Sequence, residues 1–218
     1  MNNDFKVLTV LRTGGEYLPA HVCWLQRQIG MPIYCLTDSK VEMKDVISIP
    51  LKYNWPLWWS KIEMFRPDLA LTNFLYTDLD TVFLNGIPEK YKTLCKTVVL
   101  ADVSMVRPNR EPNPRMNSGL MFLTGEENKQ IWYSFESKAQ EVMGQFQKAG
   151  DQGYLDQFLR NAARWQTLFP GEIKSYKSNL QGKPLSGNET IIVFHGEPRP
   201  FNGSKVGHNK WIPVFRNE

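Results

Sequence analysis

Cysteine is scarce in this sequence, and the three that occur, Cys23, Cys35 and Cys95, are an odd number. Their spacing is not that of paired metal ligands, so neither a disulfide framework nor a cysteine-rich metal site is indicated. Long hydrophobic runs are also missing, since no apolar stretch approaches the ~20 residues that a membrane-spanning helix requires. Residues 1–4 do not begin a charged-then-apolar leader. These absences lead us to expect a protein of a reducing cytoplasm with no transmembrane segment.

Strong net charge is absent as well. The 26 Lys and Arg residues against 22 Asp and Glu give a formal charge of +4, and the basic residues are scattered, with no long run among them. Nucleic-acid binding usually needs a concentrated basic surface, so we exclude a nucleic acid as the partner and expect a small anionic substrate instead. The chain has 218 residues, of which 42% are hydrophobic, and this is enough for one domain with a sizeable core.

An apolar stretch at residues 74–84 is interrupted by two carboxylates, Asp78 and Asp80. Its β-branched and aromatic residues predict one strand buried on both faces, with the two acids at a strand end. The tripeptide Asp-x-Asp often occurs by chance, but a chance copy is expected in a polar loop and not between two hydrophobic runs. Burying two unpaired carboxylates is strongly unfavourable, so a divalent cation held by oxygen ligands is the simplest partner for them.

The first part of the chain alternates between strand and helix patterns. We predict strands at 5–11, 33–37 and 46–49 and a helix at 17–29, an order typical of a parallel sheet. Ligands of such sheets gather at the carboxyl ends of the strands, where Thr9, Thr37 and Asp38 would touch a nucleotide. Asp38 is equally explained as the cap of a helix or turn. The pair Gly14-Gly15 either lets the backbone approach a ligand or makes an ordinary tight turn.

Tryptophan is concentrated around a helix predicted at 57–65, where Trp55, Trp58 and Trp59 fall within five positions. Adjacent Trp58 and Trp59 cannot both face the core from one helix, so one of them is available to line a pocket. Lys61 lies one turn further on. It is either a surface lysine or a contact to a phosphate or sugar.

Further polar side chains are predicted at the same edge of the sheet. A strand at 98–101 delivers Asp102 there, and a later buried strand at 116–123 has a polar beginning that includes Asn117. Asn117 is either a site residue or part of a turn. The aperiodic segment from Val106 to Arg115 holds three Pro and three Arg, so we predict a mobile loop able to cover a bound anion.

Two helices are predicted after these strands. Thr124 and Glu127 fit a capping box at the start of a helix whose apolar face runs as far as Phe146. A second helical stripe follows, with Asp151 as its N-cap and Gln152 at its positive end.

A last buried strand is predicted at 191–194, and it ends at His195-Gly196. A histidine at a strand end beside glycine is better placed to meet a ligand than to pack in a core.

Together these motifs resemble the GT-A glycosyltransferases of glycosyltransferase family 8, the glycogenin and galactosyltransferase group. The likeness spans residues 5 to 201 and rests on four segments, which are Asp78-Leu79-Asp80, Asn117-Ser118-Gly119, Asp151-Gln152, and His195 followed by Arg199-Pro200-Phe201. The resemblance implies one α/β domain, 1–218, with a Rossmann-like, mainly parallel central sheet flanked by helices. Its nucleotide-binding part would span about 1–105, and the part that closes the metal site and holds the acceptor about 106–218.

In the family the acid pair and the late histidine bind Mn²⁺, so the resemblance implies a Mn²⁺ or Mg²⁺ site of Asp78, Asp80 and His195. The basic residue after the histidine contacts the diphosphate, which points to Arg199. The family usually places this residue six positions after the histidine, whereas Arg199 follows His195 by four. With the positions argued above, the predicted contacts to the nucleotide are Thr9, Asp38, Lys61, Asp78 and Leu79. The predicted contacts to the substrate are Asp102, Asn117, Ser118, Asp151 and Gln152.

The implied reaction moves a sugar from a nucleotide-diphosphate donor, usually a uridine diphosphate sugar, to a hydroxylated acceptor with retention of anomeric configuration. Negative charge grows on the departing diphosphate, so a metal, Arg or Lys side chains and helix N-termini would all favour the transition state. Gln152, or Asp151 beside it, would lie near the reacting carbon and give electrostatic support, because an amide is a poor nucleophile. The acceptor could be a sugar, a lipid-linked molecule or a protein.

Two other classes of protein remain open. A phosphatase of the haloacid-dehalogenase type has a signature that begins Asp-x-Asp-Thr-Val, which residues 78–82 match, and it would use Asp78 as nucleophile. Against it, that motif normally lies on the first strand, whereas three strands are predicted before Asp78, and His195 would have no function. A sugar-binding protein without activity is the third class, suggested by the 12% of aromatic residues.

Overall fold

The computed structural model describes residues 5–102, 115–181, 183–202 and 209–216. Its strands are β1 Lys6–Leu11, β2 Ile33–Thr37, β3 Val46–Pro50, β4 Phe74–Thr77, β5 Thr81–Phe83, β6 Val98–Ala101, β7 Met116–Leu123, β8 Ala163–Arg164, β9 Ile173–Ser175 and β10 Ile191–Val193. The helices are α1 Pro19–Ile29, α2 Glu89–Lys92, α3 Glu126–Glu136, α4 Ala139–Gln145, α5 Gly150–Leu159 and α6 Trp165–Leu168. Two 3₁₀ helices, Leu57–Phe65 and Pro67–Leu69, and a π-helical turn, Tyr176–Leu180, are also present.

A seven-stranded sheet in the order β3-β2-β1-β4-β7-β6-β8 forms the centre of the described molecule. Its neighbouring strands are parallel except at β7, which is antiparallel to both β4 and β6. Mainly parallel sheets are covered on both faces, which explains why every residue of β4 is buried. The predicted α/β class with a mainly parallel central sheet is confirmed.

Helices cover both faces of this sheet. On one face α1 packs through Val22 and Leu25 into a core that also includes residues of β1 and β2. On the other face the 3₁₀ helix 57–65, α3 and α5 pack through Trp59, Phe135 and Leu155. The carboxyl edge of the sheet is left between these two layers, which is where the loops after the strands meet.

Local sequence sets both ends of α1. Pro19 occupies its first position, where the missing N–H costs nothing. Gly30 ends it with φ of 70°, and the Gly30 N–H donates a hydrogen bond to the Gln26 carbonyl at 2.9 Å. The helix therefore starts two residues later than the sequence predicted and ends where expected.

The stretch 74–84 does not form one strand, contrary to the sequence prediction. β4 ends at Thr77, and β5 begins at Thr81 in a separate three-stranded sheet of order β5-β10-β9. In that sheet β10 is antiparallel to β5 and parallel to β9. Asp78, Leu79 and Asp80 carry the chain from one sheet to the other. β4 and β5 are both apolar because each is buried in its own sheet. An apolar pattern alone therefore does not show that two sheets are involved.

Two predicted helix starts are wrong. The Thr124 side chain does not cap α3, whose N-cap is Gly125 without a side-chain hydrogen bond, and its hydroxyl instead lies 3.1 Å from that of Thr97. α5 starts at Gly150, so Asp151 is not the N-cap but lies inside the first turn. The helical pattern that runs to Phe146 is divided between α3 and α4.

The predicted mobile loop from Val106 to Arg115 lies, except for Arg115, outside the described residues. Within the described ranges, none of the helices has the length and apolar character needed to cross a membrane.

Candidate active site

A cavity of about 760 Å³ opens at the carboxyl ends of β1 and β4, where the two sheets meet. Parallel sheets bind ligands at this edge, and the volume is typical of a small-molecule site. Most of the wall comes from residues within 12–17, 54–61, 76–81, 117–119, 148–152 and 193–199.

Asp78 and Asp80 both reach this cavity from the turn between β4 and β5. The Tyr76 hydroxyl donates a hydrogen bond to Asp78 Oδ1 at 2.5 Å, and Lys61 Nζ lies 3.0 Å from the same oxygen. Gly119 allows β7 to approach, because a Cβ atom there would lie 3.2 Å from Asp78 Oδ2. The positive charge that meets Asp78 in this structure is therefore that of Lys61.

Lys61 is a buried ammonium that joins two carboxylates. Its side chain is 9% exposed, and Nζ lies 3.0 Å from both Asp78 and Asp151. The Ser118 hydroxyl accepts a hydrogen bond from Lys61 at 3.1 Å and donates one to Asp151 at 2.7 Å. Burial alone would lower the pKa of Lys61, but Asp151 and Asp78 raise it above its ordinary value, so the ammonium stays charged. Of the two alternatives for Lys61, the surface lysine is excluded.

Asp80 is the more enclosed of the two acids. Its Oδ2 pairs with Arg199, which also pairs with Glu16. Burial and the charge of Asp78 raise the pKa of Asp80 to about 7, and Arg199 opposes this shift. Among the described residues, Asp80 Oδ1 is buried and has no hydrogen-bond partner. A buried carboxylate oxygen in this state is costly, and it is available to a ligand.

His195 follows β10 and lies on the wall of the same cavity. Its Nε2 is 2.6 Å from the hydroxyl of Ser175, the last residue of β9. Burial, together with the charge of Lys177, lowers the pKa of His195. The imidazole is therefore neutral at physiological pH, which is the form that binds a metal ion.

The first turn of α5 brings Asp151 and Gln152 to the cavity. The positive end of this helix favours an anion in the same place. The Gln152 amide donates to Asp102 at 3.4 Å, so β6 does deliver Asp102 to the predicted edge. Among the described residues, however, Asp102 stands behind Gln152 and is not part of the cavity wall.

The remaining predicted residues divide between the wall and the structure behind it. Leu79 and Asn117 line the cavity, and the Asn117 amide oxygen also accepts the N–H of Gly119 at 2.8 Å, which is a hydrogen bond within strand β7 and not a turn. Thr9 is fully buried and donates to a main-chain carbonyl of β4 at 2.9 Å. Asp38 accepts the N–H and hydroxyl of Thr13 at 2.9 and 3.0 Å, which is the turn cap that was the alternative for it.

Sequence reasoning missed Glu16, Tyr17, Tyr76 and Ser175 as parts of the site. The Tyr17 ring lies 5.4 Å from the Arg199 guanidinium, and burial raises the pKa of Tyr17, so its phenol stays protonated. The position of Glu16 and Tyr17 directly after the glycine pair was a usable signal. Tyr76 lies two residues before Asp78, a spacing that puts both side chains on one face of a strand, so it also carried a usable signal. Ser175 carried none, because its contact with His195 arises from tertiary pairing.

The cluster of carboxylates in this cavity has a charge that would attract a divalent cation. Three aspartates, Asp78, Asp80 and Asp151, face two cations, Lys61 and Arg199, and one aspartate oxygen is unpartnered as described above. Within the described ranges, however, no three His, Cys, Asp or Glu side chains form a group that could hold a metal as they stand. The oxygen ligands are present, and Lys61 and Arg199 pair with these carboxylates. Over the whole cavity wall, Arg12, Lys148 and Glu16 bring the carboxylates and the cations to equal numbers.

Comparison by sequence finds no relative, because neither a protein-family model nor a curated protein matches the chain. Comparison by structure finds glycosyltransferases. An active-site mutant of LgtC superposes with a TM-score of 0.67 at 9% identity, over 93% of this chain and 91% of LgtC. LgtC in complex with donor and acceptor sugar analogues gives 0.63 at 10% identity, over 90% and 89%.

GlyE of Streptococcus pneumoniae TIGR4 is also similar, with a TM-score of 0.61 at 15% identity over 93% of this chain. The chain spans only 57% of the length of GlyE. Identities this low establish a shared fold and nothing finer. This chain has the GT-A fold of the glycosyltransferases.

Proposed function

We propose that this protein is a metal-dependent glycosyltransferase that moves a sugar from a nucleotide-diphosphate donor, a uridine diphosphate sugar in the first instance, to a hydroxylated acceptor. The observation that carries the proposal is the convergence of Asp78, Asp80, Asp151 and Arg199 on one cavity at the carboxyl edge of a GT-A sheet. The shared fold with LgtC, which has been solved with donor and acceptor sugar analogues, supports it.

Asp78, Asp80 and His195 are the residues that would hold Mn²⁺ or Mg²⁺. All three line the cavity, Asp80 has a buried oxygen without a partner, and the His195 imidazole is neutral. Carboxylate oxygens with one imidazole suit these ions better than metals that prefer thiolates. The ion, when bound, would supply neutralising charge to the departing diphosphate.

Arg199 is the residue that we assign to the diphosphate. Its guanidinium is held by Asp80 and Glu16, so it can pair with a donor only once these carboxylates have another partner. Lys61 stays between Asp78 and Asp151 and keeps both carboxylates in place. The partial positive charge at the start of α5 also favours the departing anion.

We assign electrostatic support of the reacting sugar to Asp151 and Gln152, with retention of configuration and without a covalent enzyme intermediate. Asp151 is engaged by Lys61 and Ser118, which makes its carboxylate a weak nucleophile. The Gln152 amide is a weaker one, but both groups can stabilise positive charge that grows on the sugar. Ser118 and the adjacent Asn117 on the wall are assigned to the donor sugar.

Donor hydrolysis tests this proposal without knowledge of the acceptor. The protein is incubated with a panel of uridine diphosphate sugars and Mn²⁺, and free sugar and uridine diphosphate are separated by ion-exchange chromatography. Slow release is expected, because water stands in for the acceptor hydroxyl, and a chelator is expected to stop it. Asp78→Asn is expected to slow release chiefly by weakening donor and metal binding.

A parallel assay with simple phosphate esters separates glycosyl transfer from the phosphatase class, which no feature of the described residues favours. A phosphatase would release phosphate from simple esters and would form a stable beryllium fluoride adduct on Asp78, since that ion mimics a phosphoryl group on a nucleophilic aspartate. These results, together with no sugar release from any nucleotide donor, would overturn the proposal.

A further inference from the structure

The 3₁₀ helix 57–65 begins with two large apolar side chains that face solvent. Leu57 is 60% exposed and Trp58 is 45% exposed, whereas the next residue, Trp59, is buried. Leu57 also has φ of 52°, in the left-handed region that bulky branched residues rarely adopt. Strain of this kind clusters at ligand-binding sites. Core packing does not explain why this pair is held at the surface.

Trp58 is fixed to the helix that carries Asp151 and Gln152. Its indole packs on Gly150, the first residue of α5, so closely that a Cβ atom there would lie 2.6 Å from Nε1 and 2.9 Å from Cδ1. The ring therefore sits at a defined distance from the first turn of α5. Of the two adjacent tryptophans, Trp58 is the one that lines the cavity of the candidate active site.

Two cavities adjoin along this indole. One is the cavity of the candidate active site, and the other is a smaller cavity of about 400 Å³ between the start of the 3₁₀ helix and α4. Pro56, Leu57 and Trp58 line both cavities. A ligand in the smaller cavity would thus reach the larger one by passing over the indole.

The smaller cavity is lined by apolar and amide side chains. None of its described lining residues carries a charge. Trp58 contributes aromatic surface, and Gln140 and Gln147 contribute side-chain amides. Aromatic surface beside side-chain amides suits a ligand that has both an apolar face and hydroxyl groups. A pyranose ring has both, because its C–H bonds form the face and its hydroxyls donate and accept. An acidic or phosphorylated group would find no counter-charge on this lining.

We propose that Trp58 is the platform of an acceptor subsite that takes a neutral glycan, with the sugar ring on the indole and hydroxyl groups bound by Gln140 and Gln147. The inference rests on the proposed glycosyl transfer. It adds the class of acceptor, which the larger cavity by itself does not indicate. The acceptor hydroxyl oxygen forms the new bond to the anomeric carbon. The bond from that carbon to the diphosphate oxygen breaks with its electron pair on the diphosphate, which also takes the hydroxyl proton.

Neutral disaccharides test the subsite directly. Lactose, maltose and cellobiose are the probes, and binding is measured by saturation-transfer NMR with uridine diphosphate and Mn²⁺ present. Trp58→Ala removes the platform, and Trp58→Phe keeps an aromatic face. Tyr133→Ala is the matched control, because Tyr133 is 59% exposed on α3 and is not among the residues that line either described cavity.

We expect at least one disaccharide to bind the wild type, Trp58→Phe and Tyr133→Ala, and we expect Trp58→Ala to lose roughly tenfold or more in affinity. The double variant Gln140→Ala, Gln147→Ala is expected to weaken binding with the indole in place. Thermal unfolding of each variant checks that it is folded.

Three results would overturn the proposal. They are equal affinity of wild type and Trp58→Ala, failure of every neutral disaccharide to bind the wild type, and a preference for a glucuronate or sugar phosphate over the neutral probes. Donor hydrolysis by water, measured on the same wild-type preparation, reports on the larger cavity independently. Failure of the proposed function would appear there as absent hydrolysis, whatever the disaccharides do.

Discussion

Lys61 occupies a position where removing one positive charge exposes two negative ones. Asp78 and Asp151 both lie 3.0 Å from its Nζ, and the Asp151 side chain is only 8% exposed, so water would replace little of the lost ammonium at Asp151, whereas Asp78 is 33% exposed. We expect Lys61→Met to lower the free energy of unfolding by about 3–5 kcal/mol, the usual result of leaving a buried carboxylate unpaired. Urea unfolding followed by circular dichroism measures the change.

The matched control for this substitution is Lys52→Met. Lys52 pairs with Asp68 at 2.7 Å, but both side chains are about half exposed, at 56% and 48%. Surface pairs of this kind contribute about 0–1 kcal/mol. Equal losses for Lys61→Met and Lys52→Met would mean that the buried network contributes no more than a surface pair.

At the scale of residues, the sequence predicts what depends on neighbours along the chain. That one of Trp58 and Trp59 leaves the core followed from the geometry of a helix, in which adjacent side chains point in different directions, but which of the two does so was not predicted. The function of Lys61 was left open between surface and site, because its partners Asp78 and Asp151 are distant in the sequence. The turn-cap function of Asp38 was predicted as an alternative from its position after a strand, but its partner Thr13, which lies 25 residues earlier, was not predicted.

Among the elements, α5 depends on the glycine at its start. Gly150 has φ of 61°, and a Cβ atom there would lie 2.6 Å from Trp58 Nε1. We expect Gly150→Ala to lower the free energy of unfolding by about 1–3 kcal/mol through backbone strain and overpacking. Gly144→Ala in α4 is the control, because no neighbouring atom lies within 4 Å of its added Cβ. It is expected to stabilise the protein by up to about 1 kcal/mol. Chemical denaturation that ranks the two variants the other way would contradict this account of α5.

The loop that precedes β10 depends on the carboxylate of Glu189. Lys174 lies 2.6 Å from it, and the main-chain N–H groups of Ser186 and Gly187 donate to it at 2.9 and 3.0 Å. Burial alone would raise the pKa of Glu189, but Lys174 and Ser186 lower it from 4.5 to about 2. The ionised form is thus bound more tightly in the folded state than in the unfolded chain.

This shift gives a pH-dependent contribution to stability with a defined sign. Because the folded-state pKa is depressed, the contribution is fully present above about pH 5 and is lost as the pH falls from 4.5 toward 2. Its size is on the order of 3 kcal/mol. We expect Glu189→Gln to lower the free energy of unfolding at pH 7 and to lose less stability than the wild type between pH 5 and pH 2. Denaturant unfolding at several pH values measures both, and parallel curves for the two proteins would contradict the prediction. Glu42→Gln is the control and should follow the wild type far more closely than Glu189→Gln does, because the pair that Glu42 forms with Lys40 is exposed on both sides.

The elements also show where a sequence pattern stops being informative. The apolar runs of β4, β5 and β10 were predicted as buried strands, because burial depends on composition. The division of 74–84 between two sheets was not predicted, because both sheets need the same apolar residues and the break depends on tertiary pairing with β7 and β10. The early strands β1, β2 and β3 were predicted to within a residue, because each is an apolar run that a helix or turn signal separates from the next.

At the scale of the whole molecule, the candidate site is the place where the two sheets join. The link from β4 to β5 brings Asp78 and Asp80, β10 brings His195, and the segment after it brings Arg199. The chain as a whole has a formal charge of +4, yet at this junction aspartates outnumber the cations that pair with them. Beside these aspartates an anionic donor would therefore meet repulsion unless a divalent cation is bound first, although Arg12 and Lys148 elsewhere on the wall attract it.

This charge balance predicts that Asp80→Asn changes the affinity for uridine diphosphate in opposite directions with a chelator and with Mn²⁺. At pH 8, above the pKa of about 7 of Asp80, its carboxylate is ionised and pairs with Arg199. With a chelator, Asp80→Asn removes a repulsive charge and releases Arg199, so the affinity for uridine diphosphate should rise. With Mn²⁺, the same variant lacks a proposed metal ligand, so the affinity should fall. Each change is expected to be roughly tenfold, or about 1.4 kcal/mol.

Calorimetric titration of uridine diphosphate into wild type and Asp80→Asn, with chelator and with Mn²⁺, measures the four affinities. Asp68→Asn is the control and should leave all values unchanged, because Asp68, which pairs with Lys52 and Arg66, is not among the described residues that line the cavity. A loss of affinity in both conditions would mean that Asp80 binds the nucleotide side of the donor directly. A gain in both would mean that Lys61 and Arg199 neutralise the diphosphate without a metal ion. Only a rise in affinity with chelator together with a fall with Mn²⁺ would show both proposed properties of Asp80. These are repulsion of metal-free uridine diphosphate and binding of the metal ion.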